Sequence, residues 1–273
     1  LTTGAQNTVI GYQAADGLTT GAYNTVLGYD ALGNATTAAD HHVAIGRGAM
    51  SGNIGTEDLN FCVAVGDLAM SGALDAAASG SVALGKSALA ALTSGAGNVA
   101  VGYASMYEHS TGAKNTCLGY ETMYSTNAGN DSLLSSENVF IGYRSGYGTW
   151  NDGPSNQNVS VGVESMMGVL YGATNNVAVG YRSLYTLKEG DENVCIGSGA
   201  GSLLEDGDNN VAVGVDAGNV IVDGNNNTIV GGDSDPSAHG GTNQATLGYG
   251  VTGQADNSVT LGNADVTAVY MAS

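Results

Sequence analysis

The sequence predicts an all-β fold, a parallel β-roll or β-solenoid of about fifteen coils. Three observations predict it. A glycine recurs at 11, 28, 46, 66, 85, 102, 119, 142, 162, 180, 197, 214, 231, 248 and 262, most often 17 residues apart. The residue before each of these glycines is Ile, Leu or Val in all fifteen repeats, and the residue three before it is Val or Thr in fourteen. The residue four before it is Asn in ten repeats, Asn7, Asn98, Asn193 and Asn227 among them. A near-constant period with tolerated insertions is the mark of a repeat architecture in which each repeat forms one coil.

Each column has a physical reading. Val, Thr, Ile and Leu two positions apart favour an extended strand and share one of its faces. The anchor glycine ends the strand with a backbone conformation open to positive φ. Asparagines stacked at one corner can hydrogen-bond from coil to coil as a ladder. Ala or Ser three residues after the glycine, found in twelve repeats, lets the chain approach closely after the turn. No stripe of 3.6-residue period runs through the segments, so helices are not expected. The aliphatic pair is expected to fill the inside of a narrow tube. The residue between the pair then faces outward and is mostly small: Ala44, Ala64, Ala83, Ala100, Cys117, Ala178, Cys195 and Ala212. A small, uncharged outer face predicts contact with further copies, and a homotrimer about a threefold axis is the expected assembly. Fifteen coils at ~4.8 Å give a rod of roughly 70 Å.

Composition narrows the function. Of 273 residues, 25 are acidic and six basic, a net charge of −19 that a trimer would triple. Phosphate backbones and anionic membranes need clustered Lys and Arg, so neither is an expected partner. No apolar run reaches the ~18 residues of a membrane-spanning helix. Leu1 opens inside a repeat without a signal peptide, so the chain reads as a mature product or a segment of a longer one. Cys62, Cys117 and Cys195 match neither a disulfide framework nor a zinc spacing and read as small buried residues. His41 and His42 are adjacent, which in a strand sends them to opposite faces, one of them towards a trimer axis where it could hold a metal. "EDGDNN" and "DGNNN" place Asp206, Asp208 and Asp223 at turns as the candidates for calcium, although neither stretch matches a known calcium loop. "GSGAGS" (197–202) lacks the spacing and the following helix of a dinucleotide loop. Nothing in the sequence points to an enzyme.

One domain spans 1–273, interrupted by insertions near 51–60, 125–136 and 146–157. Insertions in solenoids loop out from one side and often carry binding. The last two lie in consecutive coils and are expected to form one bulge, with Tyr124, Asp131, Tyr147, Trp150 and Asp152 as candidates for a host receptor or polysaccharide. Tyrosine follows the anchor glycine in seven repeats, at 12, 29, 103, 120, 143, 181 and 249. These rings are expected to stack along the rod and shield the turn.

"DNSVTLGNA" (256–264), "NNVAVGVDA" (209–217) and "GSVALGKSA" (80–88) resemble the head repeats of trimeric autotransporter adhesins. "NTVIGYQA" (7–14), with tyrosine after the glycine, is more similar to repeats of bacteriophage tail fibres. The ending "LGNADVTAVYMAS" (261–273) resembles the stretch that precedes the self-cleaving chaperone domain of such fibres and spikes. The first resemblance implies a left-handed β-roll trimer on a bacterial surface. The second implies an extracellular rod of a virion tail fibre that recognises the host, with 263–273 leading towards a further C-terminal domain. An extracellular structural filament of end-to-end rods is the reading from a different class. Ice binding is disfavoured, because Thr8, Thr25, Thr116 and Thr228 are scattered within one column.

Overall fold

The computed structural model describes residues 4–35, 39–54, 59–126, 134–151 and 153–270. Fifteen short strands, from Thr8–Ile10 to Ser258–Leu261, lie side by side in one parallel sheet in strict sequence order. Each strand pairs with the next in register, as in Val177↔Val194, Ala178↔Cys195 and Val179↔Ile196. The chain is therefore a β-solenoid of successive coils, each a three- or four-residue strand followed by turns. A 3-10 turn covers Ala76–Ala78, with Asp75 accepting from the Ala77 N–H at 2.8 Å. No helix among them is long and apolar enough to cross a membrane.

The anchor glycines follow from the stacking. Gly46 has φ +129°, and a Cβ there would lie 2.5 Å from the Gly66 carbonyl oxygen of the next coil. A side chain would prop the coils apart, so the column tolerates only glycine.

The asparagine ladder is present and buried. Asn210 donates its backbone N–H and its Nδ2 to Asn193 Oδ1 at 2.9 and 3.1 Å, and Nδ2 also donates to the Gly224 carbonyl at 2.7 Å. The same pattern links Asn158, Asn176, Asn193 and Asn227. One side-chain amide thus satisfies polar groups of three coils, which a dry corner requires. Two residues earlier in each coil a second ladder runs. Thr174 N–H donates to Asp191 Oδ1, Asp191 N–H to Asp208 Oδ1 and Asp208 N–H to Asn225 Oδ1, at 2.6–2.8 Å.

The two faces of the strand are reversed relative to the sequence expectation. Ala44, Ala64, Ala83, Ala100, Cys117, Ala178, Cys195 and Ala212 point into the coil and are fully or almost fully buried within one chain. They offer no surface to another copy. The aliphatic pair points outward instead, with Ile10 60%, Leu118 46% and Leu247 55% exposed. Volume is the reason. The interior is filled from the opposite wall by large residues four after the anchor glycine: Leu32, Met50, Met70, Leu89, Met106, Met123, Met166 and Leu184, all buried. A second layer, Leu18, Leu92, Leu187 and Leu204, lies three residues further on. Opposite these Leu and Met residues the strand carries nothing larger than Val26, as a narrow core requires.

The coil with the largest strand residue agrees with the volume argument. Where the strand carries Phe140, the facing position is Gly146, whose added Cβ would lie 2.6 Å from the ring. Gly201 and Gly218 likewise face Cys195 and Ala212. In the eight coils where the facing residue is Leu or Met, it adopts φ between +47° and +55°. That backbone costs an L-residue about 1–2 kcal/mol. It is held because its N–H donates to the next coil, as from Met70 to the Ala88 carbonyl at 2.8 Å.

Candidate functional site

The residues that could meet a partner lie on the turn after the strand. The column just after the anchor glycine stacks Tyr103 on Tyr120 and Tyr120 on Tyr143, with ring centroids 4.9 and 5.6 Å apart. Four residues further along each coil, a second column stacks Tyr107 on Tyr124 and Tyr124 on Tyr147 at 5.2 and 5.4 Å. The spacing follows from the coil repeat, since a side chain at a fixed place in each turn meets its counterpart one coil away. Tyr12 and Tyr29 stack in the same way near the first coils. Five of the seven tyrosines expected to stack therefore do so, and a parallel column accompanies them.

Arginines lock the two columns together. The Arg144 guanidinium lies 5.1 Å from the Tyr143 ring and 4.8 Å from the Tyr147 ring, and its Nε donates to Glu121 at 2.8 Å. Arg182 lies 5.0 Å from both Tyr181 and Tyr185 and pairs with Glu164 at 2.7 Å. The hydrogen bond to the carboxylate raises the pKa of each arginine above its ordinary value. Burial, then the neighbouring Tyr107 and Glu108, raise the Tyr124 phenol, which stays protonated at neutral pH. The face is thus aromatic, with its cations already paired.

The structure sorts the sequence candidates. Tyr124 and Tyr147 are brought together in one stack. Trp150 is not a surface residue. It is fully buried, packs at a tilt on Phe140 with centroids 5.5 Å apart, and donates Nε1–H to the Gly146 carbonyl at 3.2 Å. Its contacts there are the Phe140 ring and the Gly146 backbone. Asp131 and Asp152 lie outside the described residues. The residue the sequence reading missed is Tyr107, whose place in the repeat, five residues after Gly102, matches Tyr124 and Tyr147.

Two grooves open on the surface. One, of about 250 Å³, is lined by Leu68, Ser71, Ser87, Ala90, Ala91, Tyr107 and Glu108. The other, of about 370 Å³, lies between Leu134, Ser136 and Glu137 of the second insertion and Pro154, Asn156 and Gln157 of the third.

The histidines do not meet at a surface. His42 is buried in the asparagine column, its Nε2 on the Leu59 carbonyl at 3.0 Å and its Nδ1 accepting from the Cys62 N–H at 3.2 Å. Those partners require a neutral ring protonated at Nε2. Burial lowers its pKa to about 4. His41 stacks between Tyr23 and Phe61 at 4.7 and 4.9 Å. Asp208 is committed to the second ladder, Asp223 lies 3.3 Å from His239, and Asp206 is exposed. Among the described residues no group of three or more His, Cys, Asp or Glu side chains could hold a metal ion. The three cysteines are free and buried, and burial pushes the Cys195 thiol up to about 12.

No protein-family model matches the chain, and no curated protein matches it.

Proposed function

We propose that the chain is the rod of an extracellular fibre, of the kind found in bacteriophage tails, that recognises a host surface as a homotrimer. The observation that carries this reading is the outward aliphatic face. One Ile, Leu or Val in each of fifteen strands, with a second aliphatic two residues earlier in most of them, lines a strip of roughly 70 Å by roughly 10 Å, about 700 Å². The largest apolar patch on an ordinary monomer is ~300–600 Å². A strip that keeps one direction and one register along a parallel sheet can turn towards an axis along the rod, each of its long edges meeting a different copy, as a closed threefold ring requires. The trimer expected from the sequence is thereby retained, with its contact moved from the alanine column to the Val, Ile and Leu pair. The turn faces remain outside, so every copy presents the same tyrosine columns, and weak contacts to a repetitive surface add through avidity. The rod works by binding and needs neither catalysis nor a cofactor.

A head domain of a bacterial surface adhesin would use the same strip. Tyrosine after the anchor glycine and the closing phrase at 261–273 favour the phage fibre. Light scattering on the purified chain tests the assembly. Three times the chain mass, unchanged by a chelator, is expected. Val101→Glu with Val179→Glu should give monomers of intact far-ultraviolet circular dichroism. A wild-type monomer at all concentrations overturns the trimer, and a mass that grows with time favours end-to-end filaments. Labelled rods should bind intact host cells; failure on every candidate host overturns surface recognition.

A further inference from the structure

The second tyrosine column ends in a way that creates a site. Tyr147, Tyr124 and Tyr107 form a continuous stack. In the next coil beyond Tyr107 the same place in the repeat is Ala90, and in the one after it Ser71. At the other end the following coil carries Met167, a large side chain. The stack is therefore truncated on the Tyr107 side only. Tyr107 is the most exposed of the three rings, and the groove of about 250 Å³ occupies the space above Ala90 and Ser71 where further rings would lie.

The groove has a polar wall suited to hydroxyl groups. Glu108 lines it, and Ser125 donates to its Oε2 at 2.6 Å, which fixes the carboxylate beside the Tyr107 ring. Ser71 and Ser87 contribute hydroxyls, and Leu68, Ala90 and Ala91 give an apolar floor. A flat aromatic face, an apolar floor and a few fixed hydrogen-bonding groups make a small-ligand site. The volume is below the ~300–1,000 Å³ of sites that take drug-sized molecules, so a single ring fits it. The lining contains one carboxylate and no basic residue, which disfavours an anionic ligand.

We infer that this groove binds a neutral hexopyranose unit of a surface polysaccharide, its C–H face completing the stack on Tyr107 and its hydroxyls donating to Glu108. The inference rests on the surface-recognition reading and assigns that recognition a ligand class and a place.

Ligand-observed saturation-transfer NMR with the methyl glycosides of glucose, galactose and mannose, each at millimolar concentration, tests it on the full chain. At least one should bind. Ala90→Tyr, which extends the stack into the groove, should weaken that binding at least tenfold without lowering the melting temperature. Glu108→Gln should weaken it severalfold while circular dichroism stays unchanged. Absence of binding by all three glycosides, or equal binding by wild type and Ala90→Tyr, overturns the site. Cell binding by labelled rods separates the two levels. Host cells that retain both wild type and Ala90→Tyr leave surface recognition standing and remove this groove from it. Cells that retain neither overturn both.

Discussion

Two stretches of the same corner are built differently. From Asn158 to Asn227 the inner column is asparagine in every coil, and each amide bonds to both neighbours. From His42 to Ser81 the column is His42, Cys62 and Ser81, and the links lengthen. Cys62 N–H reaches His42 Nδ1 at 3.2 Å, Cys62 Sγ lies 3.5 Å from the Ala78 carbonyl, and Asn98 N–H reaches Ser81 Oγ at 3.3 Å. The strand pairing is the same on both sides of the difference. Backbone ladder and core volume therefore set the coil, while the corner residue sets how firmly successive coils are tied.

The largest effect should come from breaking the regular stretch. Asn193→Ala removes the acceptor for both Asn210 donors and the donor to the Gly207 carbonyl, all buried. Each orphaned buried group costs about 1–3 kcal/mol, so urea denaturation should show a loss of about 4 kcal/mol. Acid comes next and acts at two buried histidines, His42 in the irregular stretch and His109 beside Asn115 of the asparagine column. Burial lowers His42 and His109 from 6.5 to about 4, partly offset by hydrogen bonds to backbone groups. The folded state thus refuses protons that the unfolded chain accepts. The stability tied to each neutral ring is complete above pH 6.5 and is lost progressively as pH falls towards 4. At one pKa unit per 1.36 kcal/mol the loss is about 3 kcal/mol per histidine. Melting curves at pH 7, 5.5 and 4.5 should show it, and His42→Asn should flatten the dependence.

A third variant changes volume and leaves the ladder alone. Gly146→Ala forces a methyl against Phe140 and should cost about 2 kcal/mol, which Phe140→Leu in the same chain should partly recover. Full additivity in that double-mutant cycle would sink the volume argument. The smallest effect is a repair. Ser81→Asn restores the amide between Cys62 and Asn98 and should stabilise by about 1 kcal/mol in thermal melts.

The period, the anchor glycines and the asparagine ladder were legible in the sequence because each is a backbone demand that every coil repeats. The direction of the strand faces was not. Alternation tells which residues share a face, and hydrophobicity then assigned Val, Ile and Leu to the inside. The deciding signal lay four residues past the glycine, where Met50, Met70, Met106 and Leu184 already fill the core in a conformation rarely given to such residues. Trp150 misled for a related reason. Its rarity and its place in an insertion marked it as a binding residue, whereas it packs inside on the Phe140 ring and donates to the Gly146 carbonyl. The tyrosine groove could be anticipated only by aligning the coils and noticing Ala90 where Tyr107 and Tyr124 recur.

The insertions show how freely the outer turns vary while the strands hold register. Gly119 and Gly142 are 23 residues apart, yet Thr116 still pairs with Val139 and Leu118 with Ile141. Rod length and loop sequence are thus separate variables in this architecture. Adding a whole coil moves the tip by ~4.8 Å without disturbing any surface loop, and rewriting a loop leaves the length untouched. Under the proposed surface-recognition role, either can change without renegotiating the other.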